Sequence, residues 1–483
     1  MRNAQNGLRL SAVPGGATSR GELRARRSEE FYGWHRPLAR VNNLNSEVPL
    51  STVSDQRHKQ AGDCAVPRRT GLTLRTIAAC LCGLALMAGC APLSRRPVPP
   101  AGYTSVRVPG FPPQIRWDGE MTVQQFRRWA ATHLAGVERS AGGNPVNILV
   151  LSGGGGAGAF AAGVLSGWSQ LGTRPPFQIV TGVSVGALIA PFAFLGPHWD
   201  KELSVAFLSP KAPRLLDRRM FGWFGALFGW SLFHGAPLRQ LVDEYATPRL
   251  LRAVAAQTAR GRLLLVATTN LDTGEIVVWN MGAIAAQGGP RALWLFRKVL
   301  VASASIPGDF PPVLMPVEAG GRLFDEMQVD GSASSSFLFA PGVVTILPGR
   351  IQLLDHANVY LVINGHLRER RITTRNSTPE ILVRSADTVL VSDSRSRVKL
   401  VDAFAERQGA NLKVTEIPAS YPLGGFMADL EPAAMQALFA YGERCAREHE
   451  VWGTALTVLN RISYVHRDAH KQPPSCPVSA APH

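Results

Sequence analysis

Residues 147–158 read NILVLSGGGGAG, and residues 177–190 read FQIVTGVSVGALIA. Each stretch begins with a short apolar run that contains β-branched residues, breaks on glycine, and continues as small apolar residues that suit a helix. Short apolar runs bounded by glycine are typical of buried strands, and strands that alternate with helices are typical of parallel sheets. The two stretches therefore predict two consecutive strand–turn–helix units in an α/β domain.

The second glycine break contains a serine in the pattern G-x-S-x-G, formed by Gly182, Ser184 and Gly186. In a nucleophile elbow, the turn between strand and helix is so tight that small residues must flank the serine. The turn lifts the serine hydroxyl out of the sheet, at the positive end of the next helix. Because an apolar strand precedes this motif and an apolar helix follows it, we predict that Ser184 is a nucleophile.

The first glycine break runs from Gly153 to Gly156, with Gly158 two residues further on. Consecutive glycines allow several backbone N–H groups to point into one cavity, where they bind a phosphate or the oxyanion of acyl transfer. The spacing also fits G-x-G-x-x-G, but the next strand ends without the acid that a dinucleotide site needs. A Walker loop is excluded because no Lys-Ser or Lys-Thr follows the glycines. An oxyanion hole beside Ser184 fits both motifs.

These residues resemble the patatin-like phospholipase family. Its marks are a glycine-rich oxyanion loop, here Gly153 to Gly156, a G-x-S-x-G serine about thirty residues later, here Ser184, and a distant Asp-Gly pair, here Asp330-Gly331. The stretch from Ala302 to Pro312 is similar to a further signature of the family. The resemblance spans roughly residues 147–337 and implies a three-layer α/β/α domain with a mainly parallel central sheet.

The resemblance also implies a mechanism. Ser184 would attack the ester carbonyl, Asp330 would act as the base, and the N–H groups of Gly154, Gly155 and Gly156 would hold the oxyanion. Histidine is not required in this family, and the sequence indicates no need for a metal or a cofactor. The expected function is that of a serine hydrolase, a phospholipase A-type esterase or lipid acyl hydrolase, which acts on phospholipid or other acyl esters at a membrane.

The sequence departs from the family pattern at two positions. Ala157 stands where many members carry Arg or Lys, which puts in doubt a basic side chain in the loop but not the backbone donors. Ser332 follows Asp330-Gly331 where Gly or Ala is usual, and we expect this change to matter little if Asp330 alone does the chemistry.

Three other acidic residues, Asp272, Asp325 and Glu326, are weaker candidates for the base than Asp330 is. Asp330 stands at the end of a predicted strand, where α/β sheets display catalytic groups. Asp325 and Glu326 lie within the same strand and are therefore weaker candidates. Asp272 lies in an Asp-x-Gly hairpin turn between the strands predicted over 262–269 and 275–279, and we interpret it as a turn residue.

Two alternatives to the serine–aspartate enzyme remain open. A Ser–His–Asp hydrolase would need a histidine downstream of the acid, such as His449 or His466, although the early glycine loop argues against it. The other alternative is a lipid-binding or envelope-assembly protein with an inactive elbow.

Composition restricts the partners. The 483 residues carry a formal charge of +16, and the basic excess is spread along the chain. This charge suits an anionic lipid surface and is equally common in proteins from GC-rich genomes. Basic residues do not form a stripe with interleaved aromatics, so nucleic acid is not an expected partner. The six cysteines have no zinc-site spacing, so a metal is not expected. The sequence does not specify an oligomeric state.

The N-terminal region has the pattern of a secreted lipoprotein. Residues 1–70 lack sustained periodicity and are expected to be disordered or a mis-annotated extension of the gene. Residues 71–89 have a basic start and a short apolar run, which indicates a signal peptide. Small residues before Cys90 resemble a bacterial lipoprotein signal, which implies that Cys90 is the lipidated first residue of the mature chain; an uncleaved anchor or an ordinary apolar segment is the alternative. Ala91 follows Cys90, which favours a lipid anchor on the periplasmic side of a bacterial outer membrane.

The remaining boundaries follow from composition and periodicity. Residues 90–120 are rich in proline and predict an extended tether. Residues 121–465 form the catalytic domain, with a core at 147–340, and 466–483 are expected to be a loose tail. Cys445 and Cys476 are the only cysteines after Cys90, and pairing and non-pairing both remain possible.

Periodicity places several helices outside the motif region. It predicts helices over 126–137, 201–219, 238–256, 292–304 and 378–404, and a further helix that begins at Pro432 and ends near 448. The uncharged, aromatic stretch 220–233 has two interpretations. It is either a lid or membrane-dipping segment beside an acyl pocket, or a buried connection in the core.

Overall fold

The computed structural model describes residues 95–100, 106–118, 121–208, 235–339, 351–368, 373–423, 431–460 and 475–478. The chain divides into two units, Met1–Gly71 and Leu72–His483. The first unit, Cys90, residues 220–233 and His466 lie outside the described residues. All observations below concern the second unit.

The strands and helices of the described residues are numbered in chain order. The strands are β1 (Arg116–Asp118), β2 (Asn147–Leu151), β3 (Ile179–Val183), β4 (Leu263–Asn270), β5 (Glu275–Asn280), β6 (Val313–Ala319), β7 (Arg322–Asp330), β8 (Asn358–Ile363) and β9 (Asn411–Glu416). The helices are α1 (Val123–Ala141), α2 (Gly158–Gln170), α3 (Val185–Leu195), α4 (Asp200–Leu208), α5 (Gly235–Tyr245), α6 (Pro248–Ala259), α7 (Met281–Ala286), α8 (Gly289–Ser303), α9 (Thr378–Gln408), α10 (Pro432–Arg447) and α11 (Ala455–Asn460).

One mixed sheet contains all nine of these strands, in the order β1-β5-β4-β3-β2-β8-β9, with β7 paired to β4 and β6 paired to β7. The five strands β4, β3, β2, β8 and β9 run parallel to one another. The residues of β4, β3, β2 and β8 are largely buried on both faces, as expected for parallel strands covered by helices, whereas the edge strand β9 is buried only in its second half. The predicted α/β fold with a mainly parallel sheet is confirmed.

Strand β2 shows how the two helical layers cover the sheet. Leu149 and Leu151 pack in a hydrophobic cluster that also contains residues of α2, α3, α8 and α10. The alternate residues, Ile148 and Val150, pack in a second cluster with residues of α1, α9 and α11. Since successive side chains of a strand point to opposite faces, the sheet lies between two helical layers.

Two predicted segments differ from the structure. The predicted helix over 238–256 is wrong: α5 ends at Tyr245, and α6 starts anew at Pro248. Thr247 caps α6 by accepting a hydrogen bond from Leu250 N at 3.2 Å, and proline suits the first helical position. The apolar periodicity of the sequence continues across the break between α5 and α6, so it did not indicate that one helix ends there and another begins.

The predicted tether, 90–120, is also wrong in its described part. Val108 and Ile115 are buried in the core, and β1 pairs antiparallel with β5. The catalytic domain therefore begins before residue 121. The proline content correctly indicated an extended chain, but an extended chain can also lie against a domain.

The C-terminal tail is partly tied to the domain. A disulfide joins Cys445 in α10 to Cys476, and both cysteines are buried. Tyr441 Oη donates a hydrogen bond to Ser475 O at 2.7 Å. Residues 475–478 therefore depart from the predicted loose tail, while the possible cysteine pair is present. Within the described part of the chain, none of the helices has both the length and the apolarity that a membrane span requires.

Candidate active site

Ser184 occupies a strained turn between β3 and α3. Its φ is 56°, a left-handed value that non-glycine residues rarely adopt and that costs of order 1–3 kcal/mol. A Cβ added at Gly182 would lie 2.4 Å from Gly186 O, and one added at Gly186 would lie 2.5 Å from Leu151 O. Both glycines of the predicted elbow are thus sterically required. The turn leaves Ser184 at the start of α3, where the helix dipole is positive.

The sheet brings Asp330 to the same edge as Ser184. Val183, the residue before the serine, pairs with Ala267 of β4. Asp330, the last residue of β7, pairs with Thr268, the next residue of β4. Strand β4 therefore holds the two ends side by side, although 146 residues separate Ser184 from Asp330 in the sequence.

The Ser184 hydroxyl donates a hydrogen bond to Asp330 Oδ2 at 2.5 Å. The other carboxylate oxygen, Oδ1, accepts a hydrogen bond from Ser332 N at 2.8 Å. Asp330 N donates to Ser305 O at 2.9 Å, which fixes the backbone that carries the carboxylate. Ser184 and Asp330 are 3% and 1% exposed, so this hydrogen-bonded pair is largely removed from water.

Burial controls the proton affinity of Asp330. Desolvation disfavours the charged carboxylate and raises the pKa of Asp330 to about 6. Hydrogen bonds from Ser184 and from the backbone and side chain of Ser332 act in the opposite direction and lower it. At neutral pH the group is therefore mostly ionised, yet it binds a proton more readily than an ordinary aspartate does. This combination suits a general base.

Ser332 therefore contacts the predicted base, contrary to the expectation that this position matters little. Its backbone and side chain both hydrogen-bond to Asp330. Its hydroxyl also lies against the glycine loop, because a Cβ added at Gly153 would be 2.3 Å from Ser332 Oγ. The Asp-Gly motif alone did not indicate this contact, since it depends on the short 3-10 helix Gly331–Ala333 that follows β7.

The glycine loop lies directly against the elbow. A Cβ added at Gly153 would be 3.2 Å from Ser184 Cβ, and one added at Gly154 would be 1.9 Å from Asn364 O. Gly154 has a φ of 146° and Gly155 a φ of 55°, values that glycine adopts easily. The loop therefore requires glycine both for its backbone conformation and for its close approach to neighbouring atoms.

The loop also presents backbone donors. Gly153 N donates to Ser336 O at 3.0 Å, so this N–H group is already engaged. The 3-10 helix Gly155–Ala157 follows and leads into α2, and Ala157 N donates back to Gly154 O at 3.0 Å. The first N–H groups of a helix have no acceptor within it. The first hydrogen bond in this turn is donated by Ala157 N. The N–H groups of Gly154, Gly155 and Gly156 come before it in the chain and are therefore candidates for binding an oxyanion.

Residues at the end of α8 and just after it accept hydrogen bonds from the backbone of both Ser184 and Asp330. Ser184 N donates to Ser303 Oγ at 3.0 Å, and Ser303 Oγ donates to Ala267 O at 2.7 Å. The buried hydroxyl of Ser303 thus connects the elbow to β4, while Ser305 O accepts from Asp330 N. The family signature at 302–312 was predicted from the sequence, but this role of Ser303 was not. Two serines at a helix end were the available signal.

The other acids are used in ion pairs. Arg96 contacts Asp325 at 2.7 Å, and the buried Arg116 contacts Glu326 at 2.7 Å. Asp272 accepts from Arg95 at 2.7 Å and from Met327 N at 2.8 Å, within the predicted hairpin turn. His449, one of the two histidines considered for a triad, is exposed just beyond the end of α10. The structure thus brings Asp330 to Ser184.

Two cavities meet at Ser184 and Gly155. The acyl cavity, as we name the first, has a volume of about 110 Å³. Its apolar lining comes from α3, α5, α8 and the segment after α8, and includes Leu188, Leu238, Leu241, Val242, Leu300 and Ile306. The second, which we name the α9 cleft, has a volume of about 510 Å³ and contains Ser184, Asp330, Ser332 and part of α9. Ser184 therefore faces an apolar channel and a larger mixed cleft.

Comparison with known proteins gives one sequence match. The profile of the patatin-like phospholipase family matches residues 149–341, which include Ser184, Asp330 and the glycine loop. Curated protein sequences give no match.

Solved structures that match this chain include VipD from Legionella pneumophila, at 11% sequence identity and a TM-score of 0.32, over 65% of this chain and 70% of that one. Human GIVD cytosolic phospholipase A2 is similar at 12% identity and a TM-score of 0.28, over 53% of this chain and 48% of that one. The type III effector protein ExoU is similar at 14% identity and a TM-score of 0.25, over 63% of this chain and 52% of that one. The chain thus spans about half the length of the last two proteins.

Proposed function

Residues 149–341 belong to the patatin-like phospholipase family, which makes this domain an ester-hydrolysing enzyme, and we propose that Ser184 and Asp330 are its catalytic dyad. The observation that carries the proposal is the 2.5 Å hydrogen bond from the Ser184 hydroxyl to the buried Asp330 carboxylate. The substrate class is a lipid acyl ester, and the reaction is hydrolysis through an acyl-enzyme.

In the first half-reaction, Ser184 Oγ attacks the ester carbonyl carbon while Asp330 accepts the hydroxyl proton. The carbonyl oxygen becomes an oxyanion, which accepts hydrogen bonds from the N–H groups of Gly154, Gly155 and Gly156, with Val185 N at the start of α3 as a further donor. Such donors are worth about 100-fold to 1000-fold in rate each. The tetrahedral intermediate then collapses, the alcohol leaves with the proton from Asp330, and the acyl group stays on Ser184.

In the second half-reaction, water attacks the acyl carbon and Asp330 accepts a proton from it. Collapse of the second tetrahedral intermediate breaks the bond to Ser184 Oγ, which recovers its proton from Asp330, and the fatty acid is released. Asp330 can serve both steps because burial raises its pKa to about 6, close to the pH at which a base works best.

The acyl cavity supports a lipid substrate. Its lining is apolar and begins at Ser184 and Gly155, so a fatty acyl chain that enters it places the carbonyl beside the nucleophile and the glycine loop. Burial of each methylene is worth about 0.8 kcal/mol, so binding should strengthen with each methylene that the cavity of about 110 Å³ can hold. The cavity does not by itself specify the alcohol that leaves.

We further propose that the enzyme works at a membrane of the bacterial cell envelope, anchored by lipid on Cys90. The support is the signal-like sequence at 71–89 followed by the cysteine. Mass spectrometry of the mature protein should find a lipidated Cys90 as the first residue. Detection of Met1, or of an unmodified Cys90 in the mature chain, would reject the anchor while leaving the hydrolase proposal intact.

The hydrolase proposal is tested with purified wild type, Ser184→Ala and Asp330→Ala on short-chain p-nitrophenyl esters and on phospholipid. The dyad is supported if the wild type turns over substrate and kcat/KM falls by at least about 1000-fold in each variant. Equal rates in all three proteins would leave only a lipid-binding role. His449→Ala and His466→Ala serve as controls, and loss of turnover in either one, with folding intact, would favour a triad instead.

A further inference from the structure

Helix α9 is packed against the domain along only one half of its length. In the second half, Val398, Val401 and Phe404 are buried in the core. In the first half, none of the described side chains from 380 to 393 is buried. The first half is nevertheless apolar, since Ile381, Leu382, Val383 and Val389 are among the exposed large hydrophobic residues. The second half therefore anchors a projecting helix whose apolar side chains meet solvent.

Part of this apolar surface forms a stripe. Leu382, Ala386, Val389 and Leu390 stand at positions i, i+4, i+7 and i+8, which lie on one face of a helix. Leu382 is 64% exposed and Val389 is 66% exposed. Large side chains at this spacing normally cover a core, so the stripe has the form of a contact surface in a place where the described chain provides no cover.

The stripe leads into the active site. Ala386, Val389 and Leu390 line the same α9 cleft as Ser184 and Asp330, and Leu382 continues the face one turn beyond it. The domain supplies further apolar lining across the cleft, from Ile306, Pro307, Ile363 and Leu423. A chain that lies along the stripe would therefore reach the nucleophile.

Polar side chains also line the cleft. Asn364 is 2% exposed and Arg368 is half-buried, and both line the α9 cleft. Neither Asn364 Oδ1 nor Arg368 Nε has a hydrogen-bond partner among the described residues. The cleft thus combines an apolar stripe with an amide and a guanidinium side chain in its lining.

We propose that the α9 cleft binds the alcohol half of a two-chain lipid, with the second acyl chain along Leu382, Ala386, Val389 and Leu390. This subsite rests on the proposed function, because it takes Ser184 as the site of ester attack. With the scissile acyl chain in the acyl cavity of about 110 Å³, the alcohol half lies on the other side of Ser184, in the cleft of about 510 Å³. Asn364 and Arg368 meet its polar glycerol–phosphate part, and the second chain covers the stripe.

The test compares two lipids that differ only in the second chain, dioleoyl phosphatidylcholine and oleoyl lysophosphatidylcholine, presented in the same neutral-detergent micelles. Leu382→Ser and Val389→Ser are combined in one variant, which should fold normally because both side chains are exposed. The matched control is Leu456→Ser in α11, where the side chain is 67% exposed and lies outside the cleft. Ala386→Asn, which places a polar side chain on the stripe without filling the cleft, provides an independent second variant.

We expect kcat/KM for the two-chain lipid to fall about tenfold in both cleft variants, which corresponds to about 1.4 kcal/mol of transition-state stabilisation. The value for the one-chain lipid and both values for Leu456→Ser should stay at the wild-type level. An equal fall for both lipids would mean that the stripe docks to the lipid surface instead, and no change would mean that it has no role; either result overturns the subsite. Absence of wild-type turnover on both lipids and on p-nitrophenyl esters would reject the hydrolase proposal itself.

Discussion

In the proposed dyad, the Asp330 carboxylate accepts the proton of the Ser184 hydroxyl, and its burial favours this role. Desolvation raises its pKa to about 6, and hydrogen bonds from Ser184 and Ser332 keep the pKa from rising further. Only the ionised carboxylate can accept the proton. The plot of kcat/KM against pH should therefore rise through about pH 6 and remain level above it, where Asp330 is ionised. A rate that is independent of pH between about 5 and 8 would contradict this role for Asp330.

The Ser332 side chain should set where that rise occurs. Ser332→Ala removes a hydrogen bond that favours the charged carboxylate but keeps the backbone bond to Oδ1. The pKa of Asp330 should rise further, and the midpoint of the pH profile should move upward by about one unit. The rate at high pH should match that of the wild type. An unchanged or lower midpoint would show that the hydroxyl does not act on Asp330.

Ser303 should act as a positioning residue for the nucleophile. Ser303→Ala leaves Ser184 N without its acceptor and breaks the link to Ala267 O. We expect kcat to fall by roughly tenfold to a hundredfold with little change in KM, because the nucleophile is displaced while the substrate cavity is kept. Ser305→Ala is the matched control, since that hydroxyl donates only to Val301 O within the same helix end. Equal kcat values in both variants would reject the positioning role.

At the level of single residues, the sequence predicted those site residues that lie in local motifs. Ser184 and Asp330 stand in recognisable patterns, and the structure brings their side chains together. The contacts of Ser303 and Ser332 could not be predicted, because each depends on strands that are distant in sequence meeting at β4. Motifs state which residue types are present, whereas hydrogen-bond partners are set by the packing around them.

Among the elements, the glycine loop depends most on close contact. Gly154→Ala would place a Cβ 1.9 Å from Asn364 O, so the loop would have to move away from the elbow. We expect kcat to fall by about 100-fold to 1000-fold, as for loss of an oxyanion donor. Gly172→Ala is the control, because it adds a Cβ at a φ of 75° with no atom within 4 Å. The control should lose about 1 kcal/mol of stability and no kcat. Full activity of Gly154→Ala would contradict the assigned oxyanion loop.

The elements with strong periodicity were predicted well, and the boundaries were predicted less well. Strand β2 and helix α9 follow from apolar patterns that persist over their lengths. The break between α5 and α6 was missed because Thr247 and Pro248 interrupt the chain without interrupting the periodicity. Strand β1 was missed because three residues that pair with a distant strand carry no local signal.

At the scale of the whole molecule, helix α10 supports the helical layer that carries the glycine loop. Helix α10 packs so closely on α2 that a Cβ added at Gly163 would lie 2.1 Å from Phe439 O. Helix α2 begins directly after the glycine loop, and the disulfide of Cys445 ties α10 to the C-terminal segment. Helices α2 and α10, together with the disulfide, thus stabilise the position of the glycine loop.

Loss of the disulfide should therefore lower thermal stability. Removal of a disulfide typically costs about 2–4 kcal/mol, so replacement of Cys445 and Cys476 by serine should lower Tm by roughly 5–10 °C. Reductant should lower the Tm of the wild type by a similar amount and leave that of the double variant unchanged. Equal Tm values for oxidised wild type and double variant would show that the link does not stabilise the domain.

The central claim is that Ser184 is a nucleophile activated by Asp330, and covalent labelling tests it most directly because it does not require the natural substrate. A fluorophosphonate is incubated with the protein, the modified residue is located by mass spectrometry, and the rate of labelling is compared with that of Asp330→Asn. We predict modification at Ser184 alone and a fall in rate of about 100-fold to 10000-fold in Asp330→Asn, as for loss of a general base. Modification of a different serine, or equal rates in the two proteins, would contradict the account.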